Sequence, residues 1–144
     1  MYDMADFKKL HVWQKAHALT LCVDRSSKRI RGSQYLSLRN QMFRAAASIP
    51  ANIAEGRRKQ SEKEFARFLG IALGSASELE NHLILARDTN AIEEDEFVSL
   101  VDQTITVRKM LYALLKRLAK DKSEHNAKDF PPTPAAPSRP TQSP

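Results

Sequence analysis

The chain has 144 residues, 42% of them hydrophobic and 28% charged, with a net charge of +6 and a pI near 9.6. That length makes one domain able to bury a core, and no apolar run approaches the roughly 20 residues of a membrane span. Cys22 is the single cysteine, which excludes an internal disulfide and a cysteine cage for metal. Lys plus Arg outnumber Asp plus Glu by 23 to 17, a balance that favours a polyanionic partner.

The start, MYDMADFKK, lacks an apolar signal core and reads as a lead-in, so a cytoplasmic location is expected. The first helix is predicted from Leu10 to about Lys28. Val12, Ala16, Leu19 and Val23 fall on one face of it, and Leu10, Trp13, His17 and Leu21 on another. A turn around Gly32 follows.

The second helix is predicted from about Gln34 to Glu55, with Leu38, Met42, Ala45, Ile49 and Ile53 as its core stripe. Pro50 lies inside it and predicts a kink, because proline removes a backbone donor and crowds the preceding turn. A second face carries Leu36, Phe43, Ala47, Pro50 and Ala54. Gly56 is expected to end this helix in a left-handed cap. Ser61, three residues before Glu64, is a capping-box start for the next.

The third helix is predicted from Glu62 to about Thr89. Phe65, Leu69, Ala72, Ala76, Leu79 and Leu83 make one stripe. Gly70, Leu73, Gly74, Ser77, Asn81 and Ile84 make a second, about 140° around at 100° per residue. Each helical glycine costs roughly 1 kcal/mol relative to alanine, so the pair asks for a close neighbour. Packing within one bundle is one answer. A subunit interface over Leu36, Phe43, Ala47, Gly70, Leu73, Gly74, Ser77 and Ile84 is the favoured one.

Asn90 can cap the third helix, and the acidic run Glu93 to Glu96 suits the start of a fourth, from about Glu94 to Lys120. Its apolar residues, from Phe97 and Leu100 to Leu115 and Leu118, form a single stripe, as on an outer helix. From Asp121 onward the composition changes, and six of the seven prolines lie there. The expected organisation is an all-α, antiparallel up-down-up-down four-helix bundle over 1–120 and a disordered Pro-rich tail over 121–144.

Catalytic patterns are missing. Gly70-x-x-x-Gly74 lies inside a helix and lacks the Lys and Ser/Thr of a phosphate loop. Glu78 and Glu80 precede His82 at the wrong spacing for the Glu-x-x-His of bundle metal sites. Cys22 has the place of a small packing residue. No enzyme activity, cofactor or metal is expected. Asn52, Glu55 and Glu80 are expected to fix helix register, with Arg57, Arg58 or Arg67 as partner for Glu55.

The up-down topology gathers Lys8, Lys9, Arg57, Arg58, Lys59, Lys116, Arg117 and Lys120 at one end. Such a pole contacts phosphates without reading sequence, and a ring would multiply it. Aromatic residues sit at core spacings, which favours duplex or structured backbone over single-strand stacking. A merely solvated basic end is the plainer alternative.

The run SIPANIAEGRRKQSEKEFARFLGIALGSASELENHLILARD, with LHVWQKAHALT and LRNQMFRAAASI before it, resembles the four-helix family named for proteins encoded in intervening sequences of 23S ribosomal RNA genes. Asn52 to Gly56, with Ser61, Glu64 and Phe65, carry the resemblance most specifically, and it covers about residues 7–119. It implies a small homopentameric bundle of no known enzyme activity. It extends to the accessory variability protein of diversity-generating retroelements, which implies reverse transcriptase and nucleic acid as partners. Phe43, where a second basic residue beside Arg44 is expected, and the Pro-rich tail depart from the family pattern. The expected function is non-specific RNA or DNA binding by an oligomer. The alternative is a protein-interaction scaffold, for instance an accessory subunit of a reverse transcriptase.

Overall fold

Apolar residues at three-four spacing in four successive segments become four helices, α1 (His11–Arg29), α2 (Leu36–Arg58), α3 (Glu62–Asp88) and α4 (Glu94–Asp129). The computed structural model describes residues 6–129, 134–138, 140 and 141. The very start of the lead-in and much of the Pro-rich tail therefore lie outside the described residues. Short 3-10 turns at Phe7–Lys9 and Ser33–Tyr35 precede α1 and α2, and the described residues contain no strand. None of the helices is long and apolar enough to cross a membrane.

Each helix packs on the next and α1 closes against α4, with α2 and α3 sharing the most extensive contact. The core is filled by the stripes read from the sequence, Leu19 and Val23, Met42, Ile49 and Ile53, Leu69, Leu79 and Leu83, then Leu100 and Leu111, together with Val107, which that reading left out. Two polar cross-links tie these segments together, one between α2 and α3 and one between the turn before α2 and the residue after α3. The Ser48 and Ser75 hydroxyls lie 2.8 Å apart, and the Tyr35 hydroxyl donates to the Thr89 carbonyl at 2.9 Å.

Pro50 does not interrupt α2. Lacking an N–H, it leaves the Ala46 carbonyl without its helical donor. The Thr20 hydroxyl of α1, 3.0 Å from that oxygen and 2.9 Å from Ala16 O, supplies one. The proline thus creates a vacancy that the neighbouring helix fills, a coupling visible only in three dimensions.

Gly56 departs from expectation. It is helical and buried, and α2 continues past it to Arg58. A Cβ at Gly56 would stand 2.7 Å from the Phe68 Cβ and 3.1 Å from Phe65 Cδ1. Glycine is there because α2 and α3 cross too closely for a side chain. Left-handed backbone occurs instead at Gly32 (φ 109°) and Asn90 (φ 61°). Asn90 closes α3 with paired bonds, Ala91 N to Ala86 O at 2.8 Å and Asn90 N to Arg87 O at 3.0 Å, the Schellman pattern. Ser61 caps α3 as expected, its hydroxyl accepting from Glu64 N at 3.2 Å.

The fourth helix also differs, running on to Asp129 instead of ending near Lys120. The added turns are exposed throughout. They carry i,i+4 pairs, Lys120 with Glu124 at 3.9 Å and His125 with Asp129 at 3.1 Å, which support helix where no core does.

Candidate nucleic-acid interface

The α2–α3 turn begins where Lys59 N bonds Gly56 O at 3.2 Å and the backbone at Lys59 becomes extended. Its cations lie against aromatic faces. The Arg57 guanidinium carbon sits 5.8 Å from the Phe65 ring centre, Lys59 Nζ 5.6 Å from that of Phe68, and the Arg67 guanidinium carbon 4.5 Å from the same ring. A phenyl face holds a cation in place while leaving its other side open to an anion. Arg57 Nε is buried without a hydrogen-bond partner, whereas Arg58 is exposed.

The other basic residues are brought to the same end. The Phe7–Lys9 turn packs on both α1 and α2. Asp6 caps this turn, its carboxylate accepting from Lys8 N at 3.0 Å. Lys9 and Arg117 line one cleft of about 320 Å³, floored by Leu10, Met110 and Leu114. Lys63 and Lys122 line another between α3 and α4. Lys8, Lys116, Arg117 and Lys120 are all exposed.

Carboxylates temper this pole. Glu55 pairs with Lys59 at 3.2 Å, so its partner is neither Arg57, Arg58 nor Arg67. Glu64 takes Arg67 at 3.1 Å, and Glu124 takes Lys120. Among the described residues, Lys8, Arg57, Arg58, Lys116 and Arg117 have no carboxylate within ion-pair distance.

At the opposite end several cations are paired with carboxylates, although Arg25 and Arg31 are not among them. Glu96 receives Arg29 at 2.6 Å and the buried Ser26 hydroxyl, Lys28 pairs with Asp24 at 2.8 Å, and Arg87 with Asp88 at 2.9 Å. Cys22 is more than a packing residue, since Arg25 Nη2 donates to its sulfur at 3.3 Å. The i,i+3 spacing of this pair was readable in the sequence.

The three polar residues singled out in the sequence are all partnered. Asn52 Nδ2 donates to Ser48 O at 2.8 Å and to its hydroxyl at 3.0 Å, extending the Ser48–Ser75 link. Glu80 receives Arg108 of α4. That α3–α4 ion pair went unrecognised in the sequence because nothing local connects the two. No group of three or more His, Cys, Asp or Glu side chains able to hold a metal occurs among the described residues.

Large apolar side chains are exposed on all four helices, among them Leu21 on α1 and Tyr112 on α4 as well as residues of the expected interface. On α2, Leu36 and Phe43 are 53% and 42% exposed. On α3, Gly70, Gly74 and Ser77 are exposed together with Ile84, and a Cβ at either glycine would meet nothing within 4 Å. Of the residues expected at an interface, Leu73 and Ala47 are half-buried, and Leu73 packs against the core.

Over the described residues, fold and site together define a small all-helical protein with exposed basic residues gathered at one end. The chain belongs to the 23S rRNA-intervening sequence protein family, whose model matches residues 8–113. A solved structure from Bacteroides thetaiotaomicron, a protein of unknown function from the S23 ribosomal protein family, is 28% identical to it. The match covers 73% of this chain and 98% of that one, with a TM-score of 0.69. No curated protein matches the chain.

Proposed function

We propose that this protein is a non-enzymatic oligomer that binds the backbone of RNA or DNA through the end bearing the α2–α3 turn. The observation that carries the reading is the gathering of Lys8, Arg57, Arg58, Lys116 and Arg117 with no carboxylate within ion-pair distance among the described residues, Arg57 lying on Phe65 and Arg67 beside it on Phe68. Family membership is compatible with an RNA ligand. The helices alternate in direction in this reading. The Tyr35–Thr89 link joins the start of α2 to the end of α3, while the short 59–61 turn joins their other ends. Copies associate through the outward faces of α2 and α3, in a ring of five as the resemblance implies, so each phosphate-binding end is repeated around an axis. The setting is cytoplasmic.

Fluorescence anisotropy with a structured RNA and a DNA duplex tests this. Five phosphate contacts per chain predict roughly a 500-fold loss of affinity between 50 and 200 mM salt. Changing Arg57, Arg58 and Lys59 together to Ala is expected to abolish most binding and flatten the salt slope by about two to three. Binding that survives the triple change moves the site elsewhere. Absence of binding at low salt sinks the reading and leaves a scaffold for a protein partner, such as a reverse transcriptase, in its place.

A further inference from the structure

The end of α4 beyond Lys122, and the prolines after it, take no part in the proposed phosphate contacts. Leu118 is the last α4 residue packed against the core, and every residue from Ala119 to Asp129 is exposed. At 1.5 Å per residue, that length of helix reaches about 16 Å past Leu118. Its i,i+4 side-chain pairs, Lys120 with Glu124 and His125 with Asp129, add a little local support to this helix.

Past this arm the sequence places Pro131, Pro134, Pro137 and Pro140 at intervals of three. A polyproline-II helix has three residues per turn, so that interval sets successive prolines on one edge. Residues 134–138 and 140 are exposed and outside any helix or strand. The residues between Pro134 and Pro137 are both alanine, too small to obstruct a groove laid against the prolines. A spacer needs only the stiffness of proline and is indifferent to its spacing. The regular interval is therefore the feature that a spacer leaves unexplained.

We propose that Pro134, Pro137 and Pro140 form a polyproline-II ligand for a protein domain with an aromatic-lined groove, held clear of the bundle by the exposed end of α4. Aromatic-lined grooves receive prolines of this repeat, and the prefolded ligand loses little entropy on docking. The formal charge within 131–144 is that of Arg139 alone, so carboxylates flanking the groove suit this segment.

The test uses the full chain, dye-labelled near its N-terminus and titrated with a purified SH3 domain and, separately, a purified WW domain. Saturable binding to at least one is expected, with a dissociation constant in the micromolar range. The double change Pro134→Ala with Pro137→Ala is expected to weaken it by about tenfold or more. One alanine inserted between Ala135 and Ala136 keeps every proline but breaks the interval, and it is expected to weaken binding as much. Circular dichroism of both variants should match the parent, since neither change touches the core. The proposal is overturned if neither domain binds at about 1 mM, the weakest range in which association is measurable. It is equally overturned if the insertion leaves affinity unchanged, because proline content and not register would then be responsible.

Discussion

Gly56 on one side, and Gly70 with Gly74 on the other, occupy helices of the same hairpin under opposite conditions. A Cβ at Gly56 would stand 2.7 Å from Phe68 Cβ, whereas one at Gly70 or Gly74 would meet nothing within 4 Å. Each glycine costs its helix roughly 1 kcal/mol relative to alanine. At Gly56 the close crossing of α2 and α3 returns that cost within the chain. At Gly70 and Gly74 no described residue lies close enough to return it. The lesson is that a small residue in a helix is explained by its nearest neighbour where there is one. The subunit contact proposed for Gly70 and Gly74 is an explanation still to be tested.

Breaking the first half of this comparison gives the largest effect. Gly56→Ala forces a methyl onto Phe68 Cβ, which is anchored to backbone and cannot swing away. Overpacking of this kind costs about 3 kcal/mol at the upper end of its usual range, offset by about 1 from helix propensity. A net loss of about 2 kcal/mol in urea denaturation is expected. Because the same crossing holds Phe65 and Phe68 under their cations, nucleic-acid affinity should fall with stability. A Gly56→Ala protein as stable as the parent would show that the crossing is not tight.

The inner face of α2 is sharpened by a second change, at Thr20. Thr20→Val removes the hydroxyl that stands in for the donor missing at Pro50, leaving the buried Ala46 carbonyl unpaired. A loss of about 1.5 kcal/mol is expected. In a Pro50→Ala background the new backbone N–H takes over that carbonyl, and the same Thr20→Val change should then cost under about 0.5 kcal/mol. Equal costs in both backgrounds would mean that Thr20 serves its own helix through Ala16 O and not α2.

The inward stripes of all four helices were legible because burial imposes its period on the sequence directly. Phe65, Leu69, Ala72, Ala76, Leu79 and Leu83 are all buried as their spacing requires. Gly56 was misread because a glycine near a helix end ordinarily marks a left-handed cap, and only tertiary packing reveals Phe68 beside it. The end of α4 was misread because loss of apolar periodicity was equated with loss of helix. The turns continue without a core, with Lys120 by Glu124 and His125 by Asp129 adding a little local support, and both pairs stood in the sequence at i,i+4. For the basic end, the cations were legible one by one, and so was the Glu55–Lys59 spacing that occupies one of them. Placing Arg57 against Phe65 required the folded hairpin.

The second half of the comparison yields the smallest effect on the fold and the opposite sign. Gly70→Ala and Gly74→Ala meet no obstacle, so each should stabilise the isolated chain by up to about 1 kcal/mol through helix propensity alone. If copies of the chain pack against this face, each added methyl holds the partner helix away, and assembly should weaken although the chain itself has become more stable. Urea midpoints read at low protein concentration and sedimentation equilibrium read across a concentration series separate the two contributions. Stabilisation with weakened assembly assigns the glycines to a subunit contact. Stabilisation with unchanged assembly removes Gly70 and Gly74 from the interface and shifts the contact to the exposed Leu36 and Phe43 of α2. Destabilisation of the isolated chain contradicts the geometry itself, because it requires a neighbour within the fold where a Cβ meets none.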